Sequence, residues 1–170
     1  YLDLFLVHWP RPTAGDYVET WKVMEEIHAS GRTRAIGVSN FQVPHLERVL
    51  AETATVPAVN QIEVHPYLTN EAVRAFNAKN GIVTEAWSPI AKGECLDDPV
   101  LVRIAERHGR STAQVTLRWH IQRGDVIFPK SVTPSPGRGE LRDLRLRALR
   151  RGGRRDRHAG PRLPHRPGPG

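Results

Sequence analysis

Residues 1–135 alternate short, nearly continuous apolar runs with longer stretches whose apolar residues recur at helical spacing. The runs are Leu2–Val7, Ala35–Val38, Ala58–Ile62, Ile82–Ala86 and Val126–Phe128. A strand that is apolar at successive positions is covered on both faces. The alternation therefore predicts βαβ units around a parallel sheet.

The stretches between the runs carry helix start and stop signals. Asp16 is placed to cap a helix that turns Tyr17, Trp21, Met24 and His28 inward and stops at Gly31. Pro44 suits the first turn of a second helix, which buries Leu46, Val49 and Leu50. Asn70 opens a third, and Asn80-Gly81 ends it. Pro99 opens a fourth, with Leu101, Ile104 and Ala105 inward and Gly109 as its stop. Ser111 and Gln114 form a capping box for a fifth, with Ala113, Leu117 and Ile121 as its inner stripe and Gly124 as its stop. No G-x-G-x-x-G follows any of the runs, which removes the main support for a dinucleotide-binding Rossmann fold.

Charge changes the picture by dividing the chain. The whole of its 170 residues carries a formal +7. Residues 136–170 hold eleven arginines against three acidic residues, whereas residues 1–135 are one charge short of neutral. The body is therefore read as one domain over 1–135, and 136–170 as an Arg/Gly/Pro-rich tail, disordered or out of frame. Such a tail also fits an arm for nucleic acid or an anionic membrane, which predicts steep salt dependence. It has no aromatic residue on which a base could stack. No apolar run reaches the ~18–20 residues of a membrane span. A single cysteine, Cys95, excludes an internal disulfide and fits a reducing, cytoplasmic compartment. The opening at Tyr1, within an apolar run, predicts a piece of a longer chain.

In parallel αβ architectures, chemistry sits just past the carboxyl ends of the strands. Those positions hold His8-Trp9-Pro10, Ser39-Asn40-Phe41, Gln61 with Glu63 and His65, Glu85 with Trp87-Ser88-Pro89, and Lys130-Ser131-Val132-Thr133. Every run thus ends in polar or aromatic groups able to position a ligand. Glu63, His65 and Glu85 are read as structural. No spacing of a known metal site is present.

The order Leu2-Asp3-Leu4-Phe5-Leu6-Val7-His8-Trp9-Pro10, Ala35-Ile36-Gly37-Val38-Ser39-Asn40-Phe41, Val59-Asn60-Gln61-Ile62-Glu63-Val64-His65-Pro66-Tyr67 and Pro129-Lys130-Ser131-Val132-Thr133 resembles the aldo-keto reductase family, and most nearly its 2,5-diketo-gluconate reductase-like members. The resemblance covers residues 1 to about 135. It implies a partial (β/α)8 TIM barrel, strands four to eight of a fold that needs ~250 residues. It further implies NADPH-dependent reduction of small aldehydes or ketones, with no nucleic-acid or membrane partner. The alternative it leaves is a non-catalytic NADPH-binding protein.

Matched residue by residue, His8 corresponds to the family's catalytic histidine. A neutral imidazole there can donate a hydrogen bond to a carbonyl oxygen. Trp9 corresponds to a wall of the substrate pocket. Ser39, Asn40 and Gln61 correspond to the side chains that hold the nicotinamide carboxamide, whose donor and acceptor short polar groups can both read. Trp87 corresponds to an aromatic stacked on the nicotinamide ring and Ser88 to a pyrophosphate contact, with Ile90 lining the same loop. Lys130, Ser131, Val132 and Thr133 correspond to the segment that grips the adenosine 2′-phosphate.

The family's catalytic tyrosine, lysine and aspartate precede its fourth strand and have no match here. Tyr17 and Tyr67 do not fit the pattern. The chain by itself is therefore expected to be inactive. After Ser135 the family continues with an arginine and an amphipathic helix, where this chain has Pro136. One permitted choice of codons for Pro136 to Leu146, read with a one-base shift, gives Arg-Val-Glu-Glu-Asn-Phe-Glu-Ile-Phe-Asp-Phe, a family-like continuation. The tail is accordingly expected to be an out-of-frame translation, which the coding DNA decides.

Overall fold

The computed structural model describes residues 1–128. Lys130, Ser131, Val132, Thr133 and the basic tail lie outside the described residues. Five parallel strands pair in chain order: β1 (Leu2–Val7), β2 (Thr33–Ser39), β3 (Val59–Glu63), β4 (Val83–Trp87) and β5 (Val126–Ile127). Sequential order is what consecutive βα units of a barrel give, whereas a doubly wound sheet reverses direction at a switch point. The architecture is that of a partial (β/α)8 barrel.

The connections are α1 (Tyr17–Ala29), α2 (Val43–Glu52), α3 (Glu71–Lys79), a 3₁₀ turn at Ala91–Gly93, α4 (Pro99–His108) and α5 (Thr112–Arg123). The core lies between sheet and helices. Trp21 and Met24 of α1, Leu46 and Val49 of α2 and Val73 of α3 pack on Ile36, Val38, Ile62 and Ala86 of the strands. Alternation along each strand then sends Ser39, Gln61, Glu85 and Trp87 to the opposite face. On that face β1 and β2 approach closely at Gly37. A Cβ there would stand 2.7 Å from Cδ2 of Leu6 and 2.8 Å from the Val59 carbonyl oxygen. Only glycine fits without displacing backbone.

Helix ends follow the sequence more closely than helix faces do. Gly124 ends α5 at φ 79°, in the left-handed region that a side chain disfavours. Ser111 and Gln114 form the expected capping box. Asp16 makes no side-chain cap; its carbonyl oxygen instead accepts from Thr20. Asn70 also forms no cap, and its amide donates to the Glu63 carbonyl at 2.6 Å, tying the start of α3 to the end of β3. Asp98 caps α4 by accepting from the Val100 and Leu101 amides.

The inner stripe of α5 differs from the expected one. Val115, Thr116, Leu117 and His120 are buried, and Ile121 is 39% exposed. The reason is polar. His120 is hydrogen-bonded on both ring nitrogens, and satisfying a buried polar group outweighs covering one more isoleucine. Ile104 of α4, also expected inward, is 37% exposed, and Ala105 occupies the buried position. β5 stops at Ile127, so Phe128 falls just beyond it.

Candidate functional site at the strand ends

Register places the candidate side chains in one row. Ser39 pairs with Gln61, Gln61 with Glu85, and Glu85 with Val126. Val7 pairs with Val38, so His8, the next residue, stands level with Ser39. Glu63 and Trp87 pair one layer farther along the strands. Parallel strands in register point paired residues the same way, so His8, Ser39, Gln61 and Glu85 converge on the same end of the sheet.

Hydrogen bonds join them. Ser39 Oγ donates to the Gln61 carbonyl at 2.9 Å, and the Asn40 amide N–H donates to the same oxygen at 2.9 Å. Asn40 sits at φ 64°, a left-handed conformation that asparagine tolerates better than most residues. That turn aims its side chain across the row. Asn40 Nδ2 donates to the His8 carbonyl at 3.0 Å and to Ser39 Oγ at 3.1 Å. Its Oδ1 accepts from Trp87 Nε1 at 2.9 Å. Both Asn40 hydrogens are thus committed within the chain. Gln61 Nε2 donates to Glu85 Oε1, which leaves Gln61 Oε1 as the open end of that amide. Trp87 uses its polar edge on Asn40 and keeps its ring face free of that bond.

The loop after β4 is strained. Ser88, Ala91 and Lys92 have φ of 52°, 49° and 55°. Ile90 lies between them, and its carbonyl accepts from the Gly93 amide and the Cys95 thiol. His120 Nε2 bonds the Pro89 carbonyl at 2.9 Å, and His120 Nδ1 bonds Asp125 Oδ2 at 3.0 Å. Arg74 grips the other carboxylate oxygen through Nε at 2.9 Å and Nη2 at 2.7 Å. Burial alone would push the Asp125 carboxyl up. The hydrogen bonds and charges of His120 and Arg74 outweigh it and hold the group below the usual carboxylate range.

The structure brings Ser39, Asn40, Gln61 and Trp87 into one hydrogen-bonded set with the His8 main chain, and Ser88 follows directly. The imidazole of His8 is exposed, and Trp9 is 54% exposed with its ring centroid 6.2 Å from that of His8. Glu85, placed at a strand end by the sequence and read there as structural, is buried and belongs to the row as the acceptor of the Gln61 amide. His120 and Asp125 were missed. They are separated by the glycine stop of α5, and nothing in the spacing says that they meet. His65 Nε2 lies 3.6 Å from Glu63 Oε1. Among the described residues, no three His, Cys, Asp or Glu side chains are placed to hold a metal ion.

Parallel strands in chain order, helices packed on one face and polar groups gathered at the carboxyl ends define a protein of the (β/α)8-barrel class. The chain belongs to the aldo/keto reductase family, whose sequence profile matches residues 1–140. It is 53% identical over 134 residues to an aldo-keto reductase of Mycolicibacterium smegmatis, covering 79% of this chain and 49% of that one. It is 46% identical over 137 residues to the methylglyoxal reductase DkgA of Escherichia coli, covering 79% and 50% respectively. A Gox0644 mutant solved in complex with NADPH superposes with a TM-score of 0.82 at 49% identity, over 88% of this chain and 55% of that one. The chain spans about half the length of the curated relatives it matches.

Proposed function

We propose that residues 1–135 form the nicotinamide-binding part of an NADPH-dependent carbonyl reductase acting on small aldehydes or ketones. The observation that carries the reading is the row at the strand ends, in which Ser39, Asn40, Gln61 and Trp87 are mutually oriented by hydrogen bonds. The residues present fit the group. Gln61 Oε1 offers an acceptor to a carboxamide N–H, and Ser39 Oγ, its hydrogen given to the Gln61 carbonyl, offers a lone pair beside it. The Trp87 ring, pinned at its edge by Asn40, offers a face for stacking. Ser88 follows on the same loop as a phosphate contact, and Ile90 lines it. Lys130, Ser131, Val132 and Thr133 hold the 2′-phosphate in this reading, supported by their likeness to the family's phosphate-gripping segment. The bound nucleotide supplies the hydride. His8 orients the carbonyl oxygen by donating a hydrogen bond to it, and Trp9 walls the substrate. The NADPH complex of the Gox0644 mutant and the name of the DkgA relative support cofactor and substrate class.

The chain alone lacks the proton donor in this reading. Tyr17 is buried in the helix-side core beside Phe41, and the Tyr67 hydroxyl donates to Asp98. Loss of a general acid costs ~10²–10⁴-fold. NADPH oxidation with an aromatic aldehyde should therefore show no turnover above a His8→Ala control, and turnover above it contradicts this part. Among the described residues no helix is long and apolar enough to cross a membrane, and the one cysteine suits a reducing cytoplasm. Binding is tested by titrating the 170-residue chain with NADPH. Gln61→Ala should weaken binding by roughly tenfold, the worth of one or two hydrogen bonds. An unchanged affinity would remove the row from the cofactor site.

A further inference from the structure

His120 is fully buried, and each of its ring nitrogens faces an acceptor. The Pro89 carbonyl oxygen can only accept. Asp125 is held as a carboxylate by Arg74, so it too can only accept. Two acceptors on two nitrogens require a hydrogen on each. The ring shares one buried carboxylate with the Arg74 guanidinium. Farther out, Glu71 pairs with Arg74 and Arg123, and the Trp119 ring stands edge-on to His120 at 4.7 Å. The His120 Nε2 bond is made to the loop in which Ser88, Ala91 and Lys92 all adopt left-handed φ, a conformation that persists only where surroundings enforce it.

We propose that His120 is a positioning residue: as an imidazolium anchored by Asp125, it holds the Pro89 carbonyl and thereby fixes the strained loop that presents Trp87, Ser88 and Ile90 at the strand ends. Its consequence for ligand binding rests on the nicotinamide reading above; the clamp itself does not. A continuous polar path results, from Arg74 through Asp125, His120 and the 87–90 segment to Asn40 and the His8 carbonyl. The helix-side charges thus set where the rim lies.

The direct test is the ¹⁵N spectrum of histidine-labelled 170-residue chain at neutral pH, where a free imidazole is mostly singly protonated. His120 should show both nitrogens protonated. One bare nitrogen overturns the proposal, and this arm needs no variant to fold. Asp125→Asn keeps an accepting oxygen but removes the charge. It should convert His120 to a single tautomer and speed exchange of the Ala91 and Gly93 amides roughly tenfold relative to the Val38 amide, as expected for a lost charge-assisted bond. Exchange that quickens in α3 and β5 but not at Ala91 and Gly93 marks Asp125 as merely structural and overturns the clamp. NADPH affinity should fall in the same variant. Faster loop exchange with unchanged affinity upholds the clamp and contradicts the nicotinamide reading, so the two fail separately.

Discussion

On the helix side of the sheet, Trp21, Val38, Phe41, Leu46 and Ile62 are almost fully covered; on the other side Leu4 and Val126 remain 37% and 40% exposed, and Gln61 and Glu63 are half-buried. The same strands make both faces by sending alternate residues each way. The first face holds by burial, which is non-directional and tolerates any well-fitting apolar shape. The second holds by directed bonds, Ser39 to Gln61, Asn40 to His8 and Trp87 to Asn40. Directed bonds leave particular atoms, such as Gln61 Oε1, pointing where a ligand can use them. The contrast predicts that helix-side changes cost stability and rim changes cost binding.

The largest effect should come from the helix side. Trp21→Ala removes a side chain with no exposed surface and its bond to the Thr55 carbonyl, and should cost about 3–5 kcal/mol in denaturant unfolding. Asp125→Asn should follow at about 3 kcal/mol near neutral pH, because it strips a buried carboxylate from two cations. Its sign with pH is fixed. The folded-state carboxyl lies below its ordinary value, so the stability it contributes is present above that value and lost as pH falls through the folded one. Wild type and variant should therefore converge in acid. Gly37→Ala tests the close approach of β1 and β3 to β2 and should cost about 1–3 kcal/mol, since the clash at 2.8 Å is with the Val59 backbone of β3. Asp3→Asn breaks an exposed pair with Arg34 and should change the unfolding midpoint by no more than about 0.5 kcal/mol.

The strands were legible because buried parallel strands write themselves as apolar runs, and four of the five expected runs overlap their strands almost fully. Helix ends were legible through Gly31, Gly81, Gly109 and Gly124, all of which adopt positive φ. The face of α5 was not. A stripe of Ala113, Leu117 and Ile121 fits the helical period as well as the true one, and only the distant partners of His120, at Pro89 and Asp125, decide between them. Asn40, Gln61 and Trp87 stood out as polar or aromatic groups ending apolar runs. Their bonds to one another did not, because they join residues 21 and 47 positions apart once the register is set. Glu85 stood out at its strand end too, but its bond to Gln61 did not, because only the register makes them partners.

The claim that the rim seats a nicotinamide is tested most directly on the indole N–H signals of the four tryptophans during an NADPH titration of the 170-residue chain. Trp87, bonded to Asn40 at the strand ends, should shift and saturate, while Trp21, bonded to Thr55 on the helix side, stays in place. A titration that moves Trp21 and leaves Trp87 unmoved, or that moves neither, contradicts the account.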